Sequence, residues 1–150
     1  MNSMLSFILL ISITTFAKEK NEHRQHQAHV HGTATLNIAF DQVSGKIEFK
    51  SAADSVLGFE HAAKSDKDKK ILSEAILKFE TGISQMIQDG SHADFRAHFN
   101  VTCLKAITGT NIIFDFTGLN KIKDLDVTVL ADALQKTIEV KTKPVTLELK

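Results

Sequence analysis

From His92 to Cys103 polar and apolar residues alternate without a break: Ala93, Phe95, Ala97, Phe99, Val101 and Cys103 on one face, His92, Asp94, Arg96, His98, Asn100 and Thr102 on the other. A helix repeats its sides every 3.6 residues, so a period of two demands a strand with one covered face and one wet face. Cys103 falls on the covered face, where a thiol behaves as a small hydrophobe, and it is expected to be buried. A second segment obeys the same rule, with Ala34, Leu36, Ile38 and Phe40 opposing His29, His31, Thr33, Thr35 and Asn37. A turn around Asp41 to Gly45 leads into Lys46 to Lys50, where Ile47 and Phe49 alternate with charges, and the two segments read as a hairpin. Further strands are expected over 111–116 and 125–130 and on either side of Pro144, a residue that marks an edge or a break. Residues 131–137 read as a helical turn.

One helical pattern stands among these strands. Ser65 with Asp68 three residues on forms a start signal, and Asp66 suits the positive end of the helix dipole. Leu72, Ala75, Ile76, Phe79, Ile83, Met86 and Ile87 then recur at spacings of three and four, an apolar stripe of about five turns closed by Gly90. Gly82 weakens its middle by about 1 kcal/mol relative to alanine. The expected class is α+β: a mostly antiparallel sheet with one long amphipathic helix packed on one face.

All charged residues lie after position 17, and the apolar run from Leu5 to Ile13 is too short to span a bilayer as a helix. With small Ala17 at the last position and a tolerable Thr15 two before it, residues 1–17 read as a secretory signal cleaved near Ala17, which implies export. Residues 18–28 are polar and aperiodic, the composition of a flexible arm, and 29–150 are enough for a single domain. The chain carries 18 basic and 18 acidic residues, so it lacks the cationic surface that phosphate binding needs, which argues against a nucleic-acid partner. A single cysteine excludes an internal disulfide.

Seven histidines are out of proportion to the rest, and His23, His26, His29 and His31 fall within nine residues. Neutral imidazole is a common zinc ligand that also suits Cu2+ and Ni2+, and the chain has no pair of thiolates to compete with it. Residues two apart on a strand share a face, so His29 and His31 are placed to grip one ion from the same side. His23 and His26, on the arm, complete its shell or act as weaker collectors. His61 directly follows Glu60 at the end of the apolar segment from Val56 to Phe59; on regular backbone one of the two reaches a given metal while the other orients a ligand. His92 and His98 share a face but stand about 20 Å apart along a strand, too far for one ion.

The string HRQHQAHVHGTATLNIAF, the segment GFEHA at Gly58 to Ala62, the polar helix start at Ser65, Asp66 and Lys67, and HADF at His92 to Phe95 leading to Cys103 resemble the ZrgA family. These are periplasmic proteins associated with bacterial zinc uptake, and the segments follow the family order over nearly all of the mature chain. The resemblance implies a zinc-binding protein supporting an ABC-type zinc importer, with His29, His31, Glu60, His61 and His92 at the matching positions. Two departures stand out: the long histidine and acidic insertion of some relatives and the second cysteine of many are both missing. Two other classes compete with this reading. A metal-dependent hydrolase would use the same histidines, but HVHG is not followed by an Asp-His pair and the chain has no HExxH, GxSxG or CxxC, so no enzyme is expected. An envelope interaction module would leave the histidines incidental.

Overall fold

The alternating segments form strands. The computed structural model describes residues 31–79, 83–89 and 92–150; the expected signal, the arm and His29 lie outside them. The described elements are β1 (Thr33–Asp41), β2 (Ser44–Ala52), α1 (Ala53–Leu57), α2 (Asp66–Lys78), β3 (Ile83–Asp89), β4 (His92–Thr102), β5 (Asn111–Phe114), β6 (Asp124–Ala131), β7 (Leu134–Val140) and β8 (Val145–Glu148). Six strands make one mixed sheet in the order β3-β4-β2-β1-β6-β7, antiparallel throughout except for the parallel pair β1 and β6. β5 and β8 pair antiparallel in a second, two-stranded sheet.

The class is therefore mostly β, and the expected α+β arrangement with one long helix packed on a sheet is not what forms. Helix α2 starts as its sequence predicts, with the Ser65 hydroxyl accepting from the Asp68 N–H at 3.1 Å, and Ser65 also holds the Asp68 carboxyl below its usual range. It ends after Lys78, where the Phe79 N–H reaches back to the Ile76 carbonyl at 3.0 Å in a tightened last turn. Residues Ile83–Asp89, expected to continue the helix, pair with β4 from Ile83 opposite His98 to Asp89 opposite His92. The physical reason is the edge of β4: its N–H and C=O groups need partners, and the segment from Ile83 to Asp89, with β-branched Ile83 and Ile87, supplies a whole ladder. Helix α2 packs on the core through Ile71, Leu72 and the buried Ala75, with Phe79 just beyond its end, while Met86 of the same stripe reaches the core from β3. Leu77 remains 65% exposed. The Phe79 ring lies 5.3 Å from Phe49 and 5.1 Å from Phe95 in tilted contacts, closing the core between helix and sheet.

Residues 131–137 form no helical turn. Asp132, with a left-handed φ of 52°, and Ala133 join Ala131 to its partner Leu134, and Gln42, also at 52°, and Val43 join Asp41 to Ser44 in the same way. Because β1 and β6 run parallel, the two hairpin turns emerge side by side. Asp132 ties them together, accepting from the Gln42 N–H at 3.0 Å and the Thr108 hydroxyl at 2.6 Å; these bonds, Thr108 first, hold its carboxyl below its usual range. Cys103 is half-buried rather than buried, since it lies one residue beyond β4 with its N–H donated to the Val43 carbonyl.

Candidate functional site

Three of the histidine-bearing segments meet at one end of the six-stranded sheet, beside the starts of β1 and β4. His31 is not on the strand, as its spacing predicts, but in the turn just before β1. Its neighbour Gly32 adopts φ +82°, a left-handed conformation that strains any side chain. The Gly32 N–H donates to the Ser55 hydroxyl at 2.9 Å, and its carbonyl accepts from Lys123 and Asp124. The glycine of HVHG is thus a clamp between α1 and the start of β6, and it fixes where His31 emerges.

The glycine of GFEH ends α1. Gly58 sits at φ +88° with its N–H donated to the Asp54 carbonyl at 2.9 Å, a left-handed helix cap. This reversal returns Phe59 to the core and leaves the Glu60 carboxylate largely buried, its side chain 13% exposed. A Cβ at Gly58 would also stand 3.1 Å from the Lys121 Nζ. Gly58→Ala is expected to lower stability by about 1–2 kcal/mol, measured by denaturant unfolding, because alanine resists this φ.

Glu60 joins the three segments. Its Oε2 accepts from His92 Nδ1 at 2.8 Å, and its Oε1 lies 3.8 Å from His31 Nδ1. His31 Nδ1 is also 3.6 Å from Asp54 Oδ2. The structure therefore brings together His31, Glu60 and His92, and adds Asp54. Spacing gave no hint of Asp54, since the five-residue α1 is too short to show a helical period. His61 is held elsewhere: its Nδ1 lies 3.1 Å from the Ala62 carbonyl and 4.0 Å from Asp68, and its ring stacks on Phe59. His98 faces Glu48 at 3.6 Å, away from His92, as the strand spacing requires. The aspartate of HADF is structural, with Asp94 paired to Lys50 at 3.1 Å and Arg96 at 3.0 Å. His23, His26 and His29 lie outside the described residues.

Among the described residues, no group of three or more His, Cys, Asp or Glu side chains is placed to hold a metal ion. The cluster is instead built from imidazole–carboxylate contacts, the kind of contact that orients a histidine ring. Glu60 Oε1 is buried and makes no hydrogen bond among the described residues. A shielded carboxylate oxygen without a donor is costly, and a cation beside it offsets that cost. The donor set of two imidazoles and two carboxylates suits a divalent first-row ion, zinc included.

No curated protein matches the chain. A family model does, described as ZrgA family zinc uptake protein, over residues 28–89. The matched stretch includes His29, His31, Asp54, Glu60 and His61 and stops before His92. The resemblance read from HVHG and GFEH is borne out: residues 28–89 of this chain match the ZrgA family of zinc uptake proteins.

Proposed function

We propose that this protein binds Zn2+ through His31 and His92, with Glu60 orienting the His92 ring and placing its charge beside His31, and that it serves zinc uptake. The observation that carries the reading is the contact of one shielded carboxylate with two imidazoles from distant segments. A carboxylate on one ring nitrogen fixes the tautomer and raises the basicity of the other, the usual support of a zinc-binding histidine. His29, His23 and His26 belong to the same run of sequence as His31 and are further ligands in this reading, with His61 an outlying one. Cu2+ and Ni2+ suit the same donors. The protein acts in the periplasm after loss of residues 1–17, capturing and buffering the ion and passing it to components of an ABC-type zinc importer. It performs no catalysis.

Calorimetric titration of the purified protein with zinc at pH 7.5 tests this. Saturable binding is the expected result, and no heat of binding at micromolar protein overturns it. At pH 5.5 the affinity is expected to fall at least about tenfold, since protons compete with the metal for the ring nitrogens. Replacing His29 and His31 together by alanine is expected to weaken binding more than replacing His23 and His26; the reverse order would move the main site onto the arm.

A further inference from the structure

We propose that Asp54 is a further ligand of this zinc site and that Lys121 is a built-in cation that competes with the metal for it. The inference rests on the zinc reading above and names a control on the same site. Asp54 divides its carboxylate between two partners: Oδ2 lies 3.6 Å from His31 Nδ1, and Oδ1 lies 3.7 Å from Lys121 Nζ. The same ammonium donates to the Asp54 carbonyl at 3.4 Å. It rests over the turn at Gly58, where the missing side chain leaves it room. Lys121 thus occupies the end of α1 with a positive charge at the place where a metal on His31 would seek an oxygen ligand.

The arrangement suits displacement. The side chains of Lys121 and Asp54 are 52% and 36% exposed, and an ion pair this wet is held weakly because water screens it. An open groove bordered by His31, Asp54, Asn120, Lys121 and Lys123 gives a hydrated ion access from solvent. A lysine carries its charge on a flexible stem, so it swings out at little cost when a divalent ion arrives. While it stays, its charge opposes zinc and lowers the affinity. A carrier that must release its ion benefits from such a returning competitor.

The test is zinc titration of the full chain and four variants: Lys121→Gln, Lys123→Gln, Asp54→Asn, and Asp54→Asn with Lys121→Gln. Lys123 borders the same groove but donates to the Asn120 carbonyl, so its substitution removes an equal charge without touching Asp54. Lys121→Gln is expected to bind zinc about tenfold more tightly and Lys123→Gln less than about threefold, from screened Coulomb interactions at these separations. Asp54→Asn is expected to bind about tenfold more weakly and to erase most of the gain from Lys121→Gln. A Lys121→Gln gain no larger than that of Lys123→Gln, or one that survives Asp54→Asn intact, overturns the competition. In either case wild-type binding leaves the zinc site standing, whereas a wild-type chain that binds no zinc overturns both.

Discussion

Glu60→Ala is expected to weaken zinc binding by about 10- to 100-fold while leaving the folded structure in place. Glu60 holds the His92 ring at 2.8 Å and stands 3.8 Å from His31 Nδ1, so its removal loosens the one ring and takes a charge from beside the other. Its Oε1 contributes little to folding, being buried without a hydrogen bond among the described residues. Loss of that oxygen removes a desolvation cost and offsets the lost bond to His92. The thermal midpoint should therefore stay within a few degrees of wild type. Glu60→Gln keeps an acceptor but loses the charge, and its affinity should fall between the two. Calorimetry against zinc, run beside a melting curve for each variant, reads both effects. Wild-type affinity in Glu60→Ala would show that this carboxylate does not organise the site.

The largest effect on stability is expected at Phe95. It is fully buried on β4, between Ala93 and Ala97, which are also fully buried on the same face, and its ring lies 5.1 Å from Phe79 at the end of α2. Small alanines on either side leave the aromatic to fill the space beneath the helix, so truncation opens a cavity that rigid sheet neighbours close poorly. Phe95→Ala is expected to cost about 3–5 kcal/mol, against a total stability of about 5–15 kcal/mol for domains in general. Leu77→Ala, on the exposed face of the same helix, is expected to change stability by less than about 0.5 kcal/mol. Denaturant unfolding with unchanged slope measures both. A loss under about 1.5 kcal/mol at Phe95 would place the packing centre elsewhere.

The strands with unbroken alternation were legible. The β1–β2 hairpin, β4 and most of β6 lie where the period of two puts them, because one covered face and one wet face write themselves into the residue order. The helix start at Ser65 was legible as well, since a cap is a local arrangement of neighbouring residues. Its end was not. Ile83, Met86 and Ile87 continue the stripe of three and four but serve equally in a strand, and the choice fell to the vacant edge of β4. Gly90 reads as the close of that helix, yet Asp89 before it pairs with His92 on β4. Likewise the alternation through Thr33 ran one turn too far back, and His31 left the strand because Gly32 is clamped to Ser55 and Lys123.

By itself the sequence determined which chemistry is available: imidazoles and carboxylates at HVHG, GFEH and HADF, thiolate pairs absent, and a chain whose strongest patterns are strands. It determined this because ligand type and face alternation are properties of single residues and their near neighbours. Only the tertiary structure decided that Glu60 meets His92 across 32 residues, that His31 joins them, and that Asp54 and Lys121 stand beside them. Those meetings depend on the register of β4 on β2, on the parallel pairing of β1 with β6 and on two left-handed glycines, all long-range or backbone choices that side-chain periodicity does not encode.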